Sequence, residues 1–299
     1  MFSKSALSFL ALTLAAPVLA APATPLELAV IKQQFVQALL TPDVVPVFDP
    51  TALLNVSFPA TGPITAGEAV TQPNSGAEPT ITVVGKSRTD AAFGAGGALN
   101  SASKYTLIMI DGDYAGAPHP DGVNAHYLQN DFEAYQLLYA AFGTNTESVL
   151  TLTPSTDPVI KYAGPGPAAN SGAHRYTILL FQQPATFTAP ATPAAGSSVT
   201  LIDFPAYVQA ANLGNPVAGI YFTVEVGTST VTASPTSAVN TATLSVAGAS
   251  TSAAASQSKS AASGAASASS TAAANSAVAK GTSGIAAGVL ALMFGAALA

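Results

Sequence analysis

The chain has 299 residues and no cysteine, so a disulfide framework, thiolate metal sites and cysteine nucleophiles are excluded together. All 15 acidic residues fall between Glu27 and Glu225, a stretch with only six basic ones. This part therefore carries a net −9, against −6 for the whole chain, and its field repels nucleic acid and anionic membranes.

Residues 1–20 read as a secretory signal peptide: Lys4 supplies the positive start, 6–16 an apolar run, and Val18-Leu19-Ala20 a small-x-small cleavage pattern. The domain follows, from 22. Thr24-Pro25-Leu26-Glu27 has capping-box spacing with proline at the first helical position. Apolar residues at Leu26, Val30, Phe35, Val36, Leu39 and Leu40 extend a helical stripe that Pro42 stops. β-Branched and aromatic runs at 53–58, 81–85, 105–110, 176–181 and 219–226, separated by Gly/Pro/Asn-rich connections, predict short strands. A second helix is expected over 205–211, closing at Gly214 before Pro216. With no internal repeat or composition break inside 22–228, the expectation is one mainly β, antiparallel domain with a few peripheral helices, large enough to stand on hydrophobic burial without disulfides. Asn55-Val56-Ser57 is the one N-glycosylation sequon, usable if Asn55 faces solvent.

From 229 the composition changes to Ser, Thr and Ala, with no aromatic or acidic residue through Ala279. Residues 229–276 read as a disordered stalk whose hydroxyl density suits O-glycosylation. Residues 284–299 form an uncharged apolar tail, shorter than the roughly 20 residues that cross hydrocarbon, preceded by a polar spacer with Lys280 and by the small residues Asn275-Ser276-Ala277. This is the pattern of a glycosylphosphatidylinositol attachment signal, with Asn275 or Ser276 as attachment residue and 277–299 as propeptide; the expected location is the cell surface or wall.

Chemistry gathers in two segments. The three histidines are His119, His126 and His174, and near them in sequence stand Asp111, Asp113, Tyr127, Arg175 and Tyr176. Residues 105–113 are a hydrophobic strand ending in two carboxylates, where pockets commonly present polar groups. Gly164-Pro165-Gly166-Pro167 lets backbone approach a ligand closely on a stiffened loop, and leads to Gly172-Ala173-His174-Arg175-Tyr176. Two imidazoles, a tyrosine hydroxyl and loop N–H groups suit a small anion, and a carboxylate on a histidine's other ring nitrogen would set its tautomer. His119, in the turn-rich 117–122, reads as a loop residue, and Arg175, on the strand face opposite His174, as one half of a structural ion pair. Asp111, His126 and His174 are a chemically suitable metal set, but no close histidine pair or metal motif accompanies them, so no metal or cofactor is expected. There is no Gly-x-Ser-x-Gly elbow, and no serine in these segments has an evident base, so the chain is not expected to be an enzyme.

In consistent order over about 32–228, the segments 39–46 (with Pro42-Asp43-Val44), 105–113, 124–128, 162–167, 172–184 and 204–226 resemble the phosphatidylethanolamine-binding proteins. The resemblance implies an antiparallel, β-sandwich-like fold with a pocket for a small anion or phospholipid headgroup near the end of a central strand. Asp111, His126, His174 and Tyr176 would line it, Gly164, Gly166 and Pro167 would form the loop at its mouth, and Asp113 would support it. The family also includes peptidase inhibitors and binders of signalling proteins, for which the loops 114–122 and 184–198 would be the contact surfaces. The pattern departs at Asp111-Gly112-Asp113-Tyr114-Ala115, where the family has Asp-Pro-Asp-Ala-Pro, and at Asn124-Ala125, where an aromatic residue is usual. The sequence thus reads as a non-enzymatic extracellular binding protein, with a surface-interaction or peptidase-inhibitor role as the alternative.

Overall fold

A computed structural model describes residues 23–85, 103–136 and 149–244. The expected signal peptide, most of the stalk, and the attachment positions Asn275 and Ser276 lie outside the described residues. Thr24 caps α1 (Pro25–Gln37) with both halves of the capping box: its hydroxyl accepts from the Glu27 amide at 3.2 Å, and the Glu27 carboxylate accepts from the Thr24 amide at 2.7 Å. The buried face is Leu28, Ile31 and Phe35, whereas Leu26 and Val36 of the expected stripe are exposed. Tertiary packing selects the face: Phe35 stacks on Phe48 with ring centroids 3.9 Å apart.

The strands are β1 (Ala52–Phe58), β2 (Gly62–Pro63), β3 (Glu68–Ala69), β4 (Thr80–Gly85), β5 (Lys104–Asp111), β6 (Val123–Gln136), β7 (Val149–Pro154), β8 (His174–Gln182), β9 (Thr200–Ile202) and β10 (Ala218–Val224), with α2 (Phe204–Ala210) before the last. All five expected strands form, as does the second helix, which Asp203 caps by accepting from the Ala206 amide at 3.0 Å. They make one sheet in the order β2-β1-β4-β7-β6-β5-β8-β10-β3, with β9 added to β6. Among the described strand pairs, only β3–β10 is parallel. The outermost strands β2 and β3 are neighbours in sequence, so the sheet curls until its ends meet. There Thr51 and Ala52 donate to the Val217 carbonyl at 2.9 and 3.1 Å, Ile64 donates to Val56 at 3.0 Å, and Gly67 to Tyr221 at 2.8 Å.

Curling gives the sheet an inner and an outer apolar face, which is how one sheet builds a sandwich-like interior. The inner cluster takes Leu54, Val56 and Phe58 of β1, Leu107 and Met109 of β5, Tyr176, Ile178 and Leu180 of β8, and Ile220 and Phe222 of β10. The outer cluster packs Ile108, Ile110, Leu179 and Phe181 under Ile31 and Phe35 of α1 and Phe204 and Tyr207 of α2. β5 and β8 are therefore buried on both sides, and their sequences read as continuous apolar runs rather than alternating ones. Asn55 is exposed on β1. After β10, residues 228–237 run back against the domain rather than away from it.

Candidate functional site

The central strands β5, β6 and β8 end together. Asp111 closes β5 and pairs with Tyr176 on β8 on one side and Asn124 on β6 on the other. His126 reaches this end through a β-bulge: Met109 pairs with Tyr127 but the next residue, Ile110, pairs with Ala125, leaving His126 as the extra residue. The bulge lets Tyr127 join the inner core and Ala125 the outer one, and it brings the His126 ring edge-on to Tyr176 with centroids 5.2 Å apart. The His126 Nδ1 faces the Ala163 carbonyl at 3.2 Å. A carbonyl only accepts, so Nδ1 carries the proton and Nε2 is an acceptor in the neutral ring.

His174 is clamped. Its Nδ1 lies 2.9 Å from Oδ2 of Asp111, and its Nε2 lies 3.2 Å from Oδ1 of Asp113 and 2.9 Å from Oγ of Ser171. Burial works against charge on the ring, but the hydrogen bond and charge of Asp111, with the charge of Asp113 added, outweigh it and hold His174 above its ordinary value. Burial likewise pushes Asp111 up, yet bonds from His174, the Asp113 amide and Tyr176 carry it below the ordinary carboxylate value. Tyr176 is fully buried, and its hydroxyl accepts from the Gly166 amide at 3.2 Å. Burial and the Asp111 charge push that hydroxyl far up. Asp113 sits at φ 52°, in the left-handed region, with its amide donating to Oδ1 of Asp111 at 2.7 Å, so the two carboxylates are set by one tight turn.

Arg175 holds that turn from the outer face, as its strand position predicts, but its partners are carbonyls rather than a carboxylate. Nε donates to Asp113 O at 3.0 Å, Nη1 to Ala38 O and Leu39 O at 2.7 and 2.9 Å, and Nη2 to Gly112 O and, at 3.0 Å, to Tyr114 O. All five guanidinium N–H groups are used, joining the end of α1 to the pocket wall. The Gly112 amide donates to the Arg175 carbonyl at 2.8 Å, a bond that a proline at 112 has no N–H to make.

Of the expected loop residues, Gly166 touches the cluster through Tyr176. Pro167 is buried, and Gly164 lies against Ser75 and Gly76, where a Cβ would stand 2.7 Å from Gly76 Cα. Two residues escape the sequence reading. Ser171 has a base beside it after all, His174. However, its hydroxyl donates to the Ala168 carbonyl at 2.6 Å, and the imidazole beside it faces two carboxylates, which favour the imidazolium. The serine proton is thus given to a carbonyl rather than to the ring, and the trio is arranged as a brace. His119 lines a cleft of about 250 Å³ together with Asp111, Asp113, Asp121, His174 and Leu201, and its Nε2 is buried without a partner. Neither residue has a local signature: a hydroxyl or imidazole at a turn looks the same whether or not it faces a cleft. Among the described residues, no group of three or more His, Asp or Glu side chains is placed to hold a metal ion.

The phosphatidylethanolamine-binding protein family matches residues 55–222. A fungal phomoidride biosynthesis cluster protein N is 42% identical over 137 residues, covering 44% of this chain and 57% of its own length. The 26 kDa secreted antigen of Toxocara canis is 25% identical over 184 residues, covering 58% and 56%. The chain thus spans little more than half the length of these curated relatives. Among solved structures, carboxypeptidase Y inhibitor, crystallised with its cognate proteinase, superposes with a TM-score of 0.50 at 21% identity, over 65% of this chain and 94% of that one. The phosphatidylethanolamine-binding protein of Plasmodium vivax gives 0.44 at 17% identity, over 69% and 100%. The match over 55–222, on a chain with this curled sheet and the joined ends of β5, β6 and β8, makes it a member of the phosphatidylethanolamine-binding protein family.

Proposed function

We propose that the domain is a non-enzymatic extracellular binding protein for a small headgroup-like ligand that carries both a phosphate and an ammonium group, presented at the cell surface on its glycosylated tail. The observation that carries this reading is the fully occupied His174. Both ring nitrogens are taken by protein groups, so His174 has no N–H left to give a phosphate. In the loop 164–167 the two prolines have no N–H and that of Gly166 is given to Tyr176, so the polar groups that remain are His126 Nε2 and the Gly164 N–H. Asp113, its side chain 40% exposed, offers an acceptor for an ammonium group. A headgroup with both charges fits this set better than phosphate alone.

Calorimetric titration of the full chain tests it. Phosphoethanolamine is expected to bind more tightly than inorganic phosphate, His126→Ala to weaken both, and Asp113→Asn to erase the preference. No saturable binding by a folded wild type overturns the reading.

The exposed Val199 and Leu201 beside the cleft favour a second reading, a protein partner seated over the loops 114–122 and 184–198. A peptidase is the partner class to test first. Shortening either loop should then abolish inhibition and leave phosphoethanolamine binding intact.

A further inference from the structure

The chain beyond β10 is rich in Ser and Thr and poor in apolar side chains, yet it is attached, and the attachment is through backbone groups. Asn170 is the hub. Its amide donates to Val226 O at 2.7 Å; its side-chain oxygen accepts from the Thr228 amide at 3.0 Å; and its carbonyl accepts from the amide and hydroxyl of Thr230, at 2.9 and 3.0 Å. Asn170 sits at φ 67°, a conformation asparagine tolerates better than most residues, and the next residue is Ser171. Further along, the Ser234 amide donates to Ala115 O at 2.7 Å, two residues beyond Asp113, and Ser237 bonds the Gln37 side chain at the end of α1.

Two glycines make room for this path. A Cβ on Gly172 would stand 2.9 Å from Val231 Cγ2, and one on Gly116 would stand 2.1 Å from Ser234 Oγ. The segment therefore bridges the two loops that present Ser171 and Asp113 to the same ring nitrogen of His174.

We propose that residues 227–237 form a strap that belongs to the binding domain, positioning the Ser171 loop against His174 and tying the mouth of the pocket to the tail. The strap deepens the headgroup-binding reading and, as far as ligand affinity goes, rests on it. Thr230 and Ser234 are positioning residues, acting through amides that a side-chain change leaves in place. A sugar on Thr230 would replace the hydroxyl proton that bonds the Asn170 carbonyl, so glycosylation there removes one of the hydrogen bonds that seat the strap.

The test uses the full chain with Thr230→Pro/Ser234→Pro, which removes both amide donors, beside Thr230→Ala/Ser234→Ala, which keeps them. The proline pair should speed exchange of the Ser171 amide by about tenfold or more. It should also shift the His174 imidazole resonance, weaken phosphoethanolamine binding about threefold to tenfold, and leave the thermal midpoint nearly unchanged. The alanine pair, which keeps both amides and loses only the Thr230 hydroxyl bond, should stay much closer to wild type than the proline pair in all four. The strap is overturned if the proline pair leaves exchange and the resonance at wild-type values, or if the Thr230 and Ser234 amides of the wild type exchange as in a free chain. A wild type that binds no phosphoethanolamine sinks the headgroup reading alone, since exchange and the resonance still judge the strap.

Discussion

At the scale of single residues, the pocket wall is held by a charge that touches no ligand. Arg175 serves five carbonyls, three of them in the turn that carries Asp113. Lysine keeps the charge but offers three donors from a point rather than a planar fork. Arg175→Lys should therefore lower stability by about 1–3 kcal/mol, and Arg175→Met, which removes all five side-chain donors and leaves Asp113 O only the backbone N–H of residue 175, by about 3–5 kcal/mol; urea denaturation measures both. The His174–Asp111 pair gives a pH signature. Because His174 is raised from 6.5, its stabilisation is complete below that value and is lost as pH climbs through the higher, folded one. Because Asp111 is lowered from 3.8, its share is present above that value and is lost as pH falls through the lower, folded one. The difference in thermal midpoint between wild type and His174→Gln should be largest between about pH 4 and 6.5 and shrink at higher pH; a flat difference would show that the clamp is not ionic. Asp111, His174 and Tyr176 were legible because they sit in runs of sequence that also form strands. Ser171 was not, because its place beside His174 depends on a turn held from a segment sixty residues further on.

At the scale of elements, the strands that were legible are those whose sequence is uniformly apolar or cleanly patterned. β6 is the longest strand, and the sequence reading missed it as a strand. Its register slips twice against β5, at His126 and again where Tyr105 and Leu107 face Phe132 and Gln129, and each slip resets the two-residue alternation that marks a strand. The second slip contains Asp131 at φ 56°, a conformation that a β-branched side chain resists. Asp131→Val should be less stable than Asp131→Gly by about 1–3 kcal/mol, measured by chemical denaturation. Both variants remove the carboxylate that meets Lys104, so the comparison isolates the backbone. α1 shows the converse: its cap and its extent near Gln37 follow from local residues, whereas the face it buries is chosen by Phe48 and the outer side of the sheet.

At the scale of the whole molecule, an acidic domain places its cleft where two carboxylates already share one histidine, so negative charge stands at the cleft and the histidine is committed to it. Fold class and the order of most elements were legible because burial pattern and turn residues are local. The curl of the sheet was not, since it depends on the stretch from Gly62 to Ala69 closing a gap between strands at opposite ends of the chain. That closure has a further consequence. β1 and β10 would otherwise each offer a row of free amides and carbonyls, a template on which a second chain could add a strand. With β2 and β3 laid along part of them, and with the Val217, Val56 and Tyr221 carbonyls taken up at the closure, less of either edge is left open to strand addition.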